Sequence, residues 1–300
     1  MYGPVGQFLF LLPGRGPPAI LSPDNMYPVL LHLGPAVVPS YGVLAAVAII
    51  AGLLLSLRTA KQQGLDPNKV WTVGVLALFA GAVVAKLAAV AMHWDAFQEN
   101  PLQLMSLTAL GGSGQGYIGL STGLAVVVLF SWRQKLPIRA VLDTLSAPLL
   151  LALSIESIGC LLAGSAFGLP TQAWWGIKYG SVYALVWWGT PMGIPLAPVQ
   201  IWMAVSDLLL AGLVYWMGSW GLRTGRVAGT AMFGGGIVHF LLQFWRGDVE
   251  PLGWTGGALT GTQAVCLLLL AGTVWLWWEP VTGQPPVDGL PQPGSVEVPR

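Results

Sequence analysis

Four ionisable side chains lie inside long apolar stretches of the sequence, where a charge is costly. They are Lys86, Glu156, Asp207 and His239. An ionisable group at membrane depth costs about 2.5–3.5 kcal/mol on insertion scales, so each of them needs a partner or a function. Lys86 and Glu156 have opposite charges. Two interpretations are open: a structural ion pair that locks two helices, or a cation that faces the phosphate of a lipid.

Further polar side chains follow along the same segments. Gln243 lies one helical turn after His239, and Arg246 follows about one turn later, so the three share a helix face. Asp207 lies two turns after Gln200 on another segment. Each group can simply bond a neighbouring helix. Alternatively, the polar groups together form a chamber for a phospholipid head near the extracytoplasmic side.

A glycine-rich stretch at residues 111–119 opens another apolar segment. Backbone amides at a helix N-terminus attract anions, and glycine lets a ligand approach the backbone closely. The phosphate of a lipid would suit such a position. Close packing of helices is the other explanation, because glycine-rich helix starts also serve packing in membranes.

The composition indicates the class of protein that must position these groups. The chain has 300 residues, of which 55% are hydrophobic and only 8% are charged. Soluble domains carry roughly 25% charged residues, so this chain is predicted to be an all-α polytopic membrane protein. Disordered, nucleic-acid-binding and secreted disulfide-rich classes are excluded. Cys160 and Cys266 lie in apolar segments and are interpreted as buried thiols, not as a disulfide or a metal site.

Seven apolar segments approach the length of about 20 residues that a helix needs to cross the bilayer. Because backbone amides must be satisfied internally in lipid, each segment is predicted to be a helix. The segments are Val38–Leu57, Trp71–Met92, Tyr117–Trp132, Ile138–Ala163, Pro198–Trp220, Val227–Trp245 and Thr260–Trp278.

The distribution of lysine and arginine predicts the orientation. The first, third and fifth loops carry eight of these residues, whereas the second, fourth and sixth carry two: Arg58, Lys61, Lys69, Arg133, Lys135, Arg139, Arg223 and Arg226 against Lys178 and Arg246. Positive loops stay cytoplasmic. The N-terminus is therefore predicted outside and the C-terminus inside.

The chain is predicted to consist of three parts. Residues 1–25 are interpreted as an N-terminal extension, with Met26 as an alternative start. Residues 26–279 form the transmembrane domain, with outer loops at 93–116 and 164–197. The proline- and glycine-rich residues 280–300 are predicted to be a disordered cytoplasmic tail.

The end of the fourth segment carries a longer motif. Residues 157–176 contain Ser-Ile-Gly-Cys at the start, Gly-Leu-Pro-Thr in the middle and Trp-Gly at the end. This resembles the signature of the prolipoprotein diacylglyceryl transferase family, Arg-Ile-Gly-Cys-Phe-x-x-Gly-x-x-x-Gly-x-Pro-Thr-x-x-Trp-Gly. The resemblance covers about Met26–Trp278.

Other motifs of the family follow in order. They lie at Leu33–Gly42, Ala85–Leu87, Glu99–Leu102, Gly111–Gly119, Pro198–Trp202, His239–Asp248 and Gly261–Gln263. The chain departs from the family at several polar positions. Ser157 and His239 stand where the family has arginines, Gln243 and Met203 where it has glutamates, and Ala197 where it has a histidine.

The resemblance implies transfer of the diacylglyceryl group from phosphatidylglycerol to the lipobox cysteine thiol of a preprolipoprotein, with glycerol phosphate leaving. It implies a multi-pass protein of the bacterial plasma (inner) membrane whose active site faces the outer leaflet. The partners are then phosphatidylglycerol, preprolipoprotein signal peptides and the lipid bilayer, but no nucleic acid. No cofactor and no metal are expected.

The resemblance also implies a set of site residues. Arg246 and Lys86 would face the phosphate, and His239 would be an acid, a base or a phosphate contact. The other members would orient the headgroup or line its cavity: Tyr41, Tyr117 and Gln200 for orientation, with Ser157, Cys160 and Glu156 in the same cavity. Tyr117 is grouped with His239 and Arg246 as catalytic.

Two other functions remain open at this point. The first is a catalytically degenerate member of the family that binds lipid but has lost the chemistry. The second is a membrane transporter or channel, against which the lack of an internal sequence repeat argues weakly.

Overall fold

The computed structural model describes residues 27–33, 36–92, 94–99, 116–249 and 259–278. The predicted N-terminal extension at 1–25, the tail at 280–300 and most of the outer loop at 93–116 lie outside the described residues. The anion-binding prediction for the glycine-rich stretch falls mainly on this undescribed part.

The described chain is mainly helical. The helices are α1 (Ser40–Gln62), α2 (Pro67–Met92), α3 (Trp94–Glu99), α4 (Gly116–Arg133), α5 (Ile138–Ala163), α6 (Val182–Trp188), α7 (Val199–Met217), α8 (Arg226–Leu242) and α9 (Gly261–Trp277). Short 3-10 turns extend α7 over Gly218–Trp220 and α8 over Gln243–Trp245.

The all-α prediction is confirmed. Six helices are long and apolar enough to cross a membrane, and the apolar helix Gly261–Trp277 is shorter. Together they match the seven predicted segments with small shifts at the ends. The first helix begins at Ser40 rather than Val38, because Ala36–Pro39 form a strand.

Helices α1 and α5 are antiparallel, and a hydrogen bond joins them near the end of α1. The Thr59 hydroxyl donates to the Thr144 carbonyl at 2.8 Å. Thr144 is the residue whose carbonyl would accept from position 148, but Pro148 has no N–H to give. The threonine of α1 therefore satisfies the acceptor that the proline of α5 leaves unpaired.

Helix α5 also bonds to the start of α8. The Asp143 carboxylate accepts from the backbone N–H groups of Gly225 and Ala228, both at 2.6 Å. These amides lie at the start of α8, where the first N–H groups have no partner inside the helix. An anion at a helix N-terminus is favourable, so the buried Asp143 fixes α8 against α5 and has no evident role in chemistry.

Two small antiparallel sheets were not predicted from the sequence. In the first, β1 (Val29–Leu33) pairs with β2 (Ala36–Pro39), and the ribbon leads directly into α1. In the second, β3 (Ile177–Lys178) pairs with β4 (Pro195–Leu196) within the outer loop at 164–197. This loop also contains the short helix α6, so it has its own secondary structure.

We define the site end of the bundle as the end at which α1 begins and α5 ends. The orientation predicted from loop charges places it outside. We expect a Trp174→Cys variant, whose position is exposed at the site end, to react with a membrane-impermeant maleimide on intact cells. Asp66→Cys, exposed at the opposite end, should react only after permeabilisation. The parent chain provides the background, since Cys160 and Cys266 are buried. The reverse labelling pattern would contradict the orientation.

Candidate functional site

The segment that follows α5 is the centre of the site end. We call residues 164–171 the signature loop. Its backbone pairs with the exit of α8 through Leu169 N–H to Trp245 O and Gly247 N–H to Phe167 O, both at 2.8 Å. It pairs with the approach to α7 through Ala197 N–H to Leu169 O at 2.9 Å. The loop therefore ties the ends of three helices together by main-chain hydrogen bonds.

The signature loop needs glycine at position 168. A Cβ added there would overlap the carbonyl oxygen of Ala197 and lie 2.8 Å from the Ala197 Cβ. Gly247 approaches from the other side, where its own added Cβ would lie 2.9 Å from the Gly168 carbonyl oxygen. Backbone on both sides leaves no room for a side chain.

We expect Gly168→Ala to destabilise the folded protein by about 1–3 kcal/mol, the usual cost of an overpacked site. The measurement is the thermal unfolding midpoint in detergent. The matched control is Gly212→Ala in α7, where an added Cβ would meet nothing within 4 Å. A Gly168→Ala protein that unfolds at the same temperature as the parent would show that the signature loop can accommodate the added methyl group, and it would contradict the prediction.

A thiol and a carboxylate lie together on α5, just below the signature loop. The Cys160 thiol donates to Glu156 Oε1 at 3.1 Å, one helical turn away. The Tyr41 hydroxyl of α1 interacts with the same carboxylate and with Cys160. Gly159 allows this approach, since an added Cβ would lie 3.1 Å from the Leu44 side chain. Three of the predicted site residues are therefore brought together.

Arg246 joins this group from the exit of α8. Its Nε and Nη2 donate to the two carboxylate oxygens of Asp248 at 2.9 and 2.8 Å, and its charge also acts on Cys160 and Glu156. Burial acts to lower the pKa of Arg246, but the hydrogen bonds and charge of Asp248 outweigh it and raise that pKa above its ordinary value. The guanidinium therefore stays cationic. It carries five N–H groups, more than one carboxylate can occupy.

Gln200 is buried against the signature loop. Its side chain is 1% exposed, and its Nε2 donates to the Ser165 carbonyl at 2.8 Å and the Tyr179 hydroxyl at 3.3 Å. The amide nitrogen thus supports the signature loop. The predicted role of Gln200 in orienting a headgroup remains a prediction.

Tyr179 is a buried residue of this support that the sequence analysis missed. Its hydroxyl donates to the Leu161 carbonyl at 3.2 Å while it accepts from Gln200. Burial raises the pKa of Tyr179 above its ordinary value, so the hydroxyl remains a donor. Tyr179 follows the two-residue strand that contains the buried Ile177, and no pattern in the sequence separates this tyrosine from the exposed aromatic residues of the outer loop.

His239 lies on α8 and pairs with Asp207 of α7. Its Nε2 lies 2.9 Å from Oδ1 and 3.1 Å from Oδ2 of Asp207, which is 1% exposed. The pair joins two neighbouring helices. The described hydrogen bonds do not connect it to Glu156 or Arg246, so the predicted catalytic role of His239 remains a prediction.

Lys86 and Tyr117 lie on the α2–α4 side of the bundle. Tyr117 packs its ring against Gly261 at the start of α9. Lys86 follows Ala85, which contacts Gly119 where α2 and α4 cross. The hypothetical ion pair between Lys86 and Glu156 is not among the ion pairs that the structure describes; Glu156 instead receives the thiol and the tyrosine hydroxyl.

Four intramembrane ionisable groups lie at similar distances from the helix ends nearest the site end. Lys86, Glu156, Asp207 and His239 are six to eight residues inside, counting the 3-10 turn that extends α8. At 1.5 Å per residue this is about 9–12 Å. Each of the helices α2, α5, α7 and α8 thus carries one of these groups about two turns from its end.

Several buried polar atoms at the site end have no hydrogen-bond partner among the described residues. They are both side-chain polar atoms of Gln243 and the Trp188 Nε1. The Ser165 hydroxyl lies beside the Cys160 thiol. Trp188 packs edge-on against Tyr41, with ring centroids 5.5 Å apart. Unpaired buried polar groups are costly, so these atoms are suited to meet a polar ligand. Ser157 is buried in the same turn of α5 as Glu156 and Cys160.

The described residues contain no group of three or more histidine, cysteine, aspartate or glutamate side chains that would hold a metal ion. What the site offers is therefore a permanent cation, a carboxylate, hydroxyl and thiol groups, and unpaired amide and indole donors. This combination is suited to binding a phosphate ester and to moving a proton.

Comparison with known proteins gives a consistent result. The model of a family described as prolipoprotein diacylglyceryl transferase matches residues 28–279. Similar proteins are named phosphatidylglycerol–prolipoprotein diacylglyceryl transferase. That of Clostridium tetani is 28% identical over 74% of this chain and 86% of its own length. The second such enzyme of Clostridium perfringens is 26% identical, over 79% and 89%, and that of Thermosynechococcus vestitus 28% identical, over 82% and 89%.

Proposed function

Because the chain belongs to the prolipoprotein diacylglyceryl transferase family, we propose that it transfers the diacylglyceryl group of phosphatidylglycerol to the lipobox cysteine of a preprolipoprotein. The chain is a multi-pass membrane protein by its apolar helices. We place it in the bacterial plasma membrane with the site end towards the outer leaflet, as the loop charges predict.

The reaction sets three physical requirements. A cationic or hydrogen-bonding group must stabilise the departing phosphate, whose charge develops in the transition state. The environment must favour the thiolate, since the thiol is a poor nucleophile. The lipid and the peptide must both reach the same point. Arg246 would meet the first requirement, and Lys86 is the second predicted cation.

One observation carries the proposal. The signature loop, which bears the family motif, is hydrogen-bonded by its backbone to the segment that presents Arg246. The same arginine acts electrostatically on Cys160 and Glu156 beneath the loop. The motif that identifies the family and the charged groups that suit its chemistry therefore converge on one place in the described structure.

The test is turnover with purified protein in proteoliposomes that contain phosphatidylglycerol. A lipobox peptide with one cysteine is the acceptor, and glycerol phosphate release and the mass of the lipidated peptide are the readouts. We expect both products in equal amounts. A peptide with serine in place of the cysteine should give neither. Absence of both products with the cysteine peptide would exclude the transferase reaction.

A lipid-binding member that has lost the chemistry is the second candidate, favoured by a specific observation. The one permanent cation described at the site, Arg246, is already paired with the carboxylate of Asp248. Ser157 also stands where the family has arginine. This alternative predicts phospholipid bound to the purified protein, seen by native mass spectrometry, without glycerol phosphate release.

A further inference from the structure

The contact between Cys160 and Glu156 shows what this carboxylate can do. A thiol donates to its Oε1 at 3.1 Å inside the site. An ionised carboxylate only accepts hydrogen bonds and has about four lone-pair positions, so one thiol does not saturate it. Glu156 is half-buried, not sealed in the core. The carboxylate therefore retains lone pairs that can accept a hydrogen bond from a second thiol.

We infer that Glu156 is the base that takes the proton from the acceptor cysteine. The inference rests on the proposed transferase function and assigns one step of it. The hydrogen bond from the Cys160 thiol shows that an S–H group can donate to this carboxylate within the site. The Tyr41 hydroxyl lies beside the carboxylate. Glu156 is therefore close to the start of α1, which the β-ribbon precedes.

The step balances without a further reactant. The S–H proton of the acceptor moves to a Glu156 oxygen, and the sulfur keeps the electron pair. The thiolate attacks the glyceryl carbon that carries the phosphate, so a C–S bond forms while the C–O bond breaks. The bonding electrons leave on the phosphate oxygen of glycerol phosphate. Glu156 then releases its proton to the phosphate or to water and is ready for another turnover.

Arg246 would stabilise negative charge in the reaction, whereas Glu156 would accept the proton. The arginine charge acts on both Glu156 and Cys160, so a cation lies within electrostatic range of the thiol position. A nearby cation favours the thiolate as well as the departing phosphate.

His239 is the competing base, and the structure favours Glu156 over it. The His239 Nε2 is engaged by both carboxylate oxygens of the buried Asp207, and the described hydrogen bonds of this pair link α7 to α8. Glu156, by contrast, is the group that a thiol already contacts. The two assignments make different predictions for acceptors of different acidity.

The experiment compares Glu156→Gln with the parent, using two acceptor peptides that differ only in having cysteine or selenocysteine. Glutamine keeps the size of the side chain but is a poor proton acceptor. With the cysteine peptide we expect turnover to fall about 100-fold, the lower end of general-base contributions. The selenol is ionised at neutral pH, so the selenocysteine peptide should recover most of that loss. The matched control, Asp66→Asn at the opposite end of the bundle, should behave as the parent.

A purely structural role of Glu156 would reduce activity with the cysteine and selenocysteine peptides equally, and that result would overturn the inference.

Other outcomes separate this inference from the proposed function. If the parent turns over the cysteine peptide and Glu156→Gln does so equally well, the inference is wrong and the function stands. If His239→Asn, and not Glu156→Gln, shows the selective rescue by selenocysteine, the base is His239 and the inference is again overturned. If the parent lipidates neither peptide, the function itself fails, and the inference with it.

Discussion

Replacing Arg246 by alanine is expected to lower turnover by about 10²–10³-fold, which corresponds to about 2.7–4 kcal/mol of transition-state stabilisation. The physical reason is that the departing phosphate gains charge in a region of low dielectric constant, where Arg246 is the permanent cation acting on Glu156 and Cys160. The measurement is kcat for glycerol phosphate release in proteoliposomes. Arg246→Lys should fall between the parent and alanine, because it keeps the charge but loses the fork of N–H donors.

The controls must separate phosphate binding from the ion pair with Asp248. Both side chains of the pair are 12% exposed, so the hydrogen bonds between them are largely shielded from water. If Arg246 only anchors Asp248, then Asp248→Asn will reproduce the loss seen with Arg246→Ala. If Arg246 serves the phosphate, Asp248→Asn will retain more activity. Arg133→Ala, in the last turn of α4 at the other end of the bundle, should match the parent; equal losses at both arginines would refute a specific role.

Replacing Asp207 by alanine is expected to destabilise the fold. The carboxylate is 1% exposed and meets His239 with both oxygens. Removing it leaves an imidazole at membrane depth without this partner, which costs about 1–3 kcal/mol for a neutral ring and about 3–5 kcal/mol for a charged one. The thermal unfolding midpoint in detergent measures the loss.

Asp207→Asn keeps the shape and one acceptor and should lose much less. The double variant Asp207→Leu with His239→Leu should regain stability relative to Asp207→Leu alone, because it removes both ends of a buried polar pair. If that double variant also retains turnover, His239 serves architecture and not chemistry. An Asp207→Ala protein as stable as the parent would mean that the contact contributes nothing to the fold.

The membrane helices could be predicted because lipid imposes a simple rule on sequence. Apolar segments of sufficient length must become helices, and each of the seven predicted segments has one in the described structure. The signature motif likewise located the loop that follows α5. Residues near helix ends were harder to assign. The strand Ala36–Pro39 includes the first residues of the first predicted segment, because a β-ribbon can satisfy the hydrogen bonds of these backbone groups as well as a helix can.

The pairing of the polar groups could not be predicted in the same way. Opposite charge suggested Lys86 with Glu156, but α5 packs mainly against α1 and α7, and the described partners of Glu156 are Cys160 and Tyr41. Sequence spacing fixes which residues share a face of one helix, whereas partners on different helices depend on bundle order. For this reason the contact of His239 with Asp207 and the contact of Gln200 with the signature loop could not be predicted from sequence spacing.

The main-chain bonds of the signature loop have a consequence for how such an enzyme changes over generations. Amide and carbonyl groups are the same in every residue, so a junction made from them survives exchange of the side chains around it, provided that Gly168 is kept. Substitution of charged side chains in the interior therefore leaves the bonds of this junction in place. Ser157 and His239, which stand where the family has arginines, take no part in these main-chain bonds, so both positions can be varied without removing a bond of the junction.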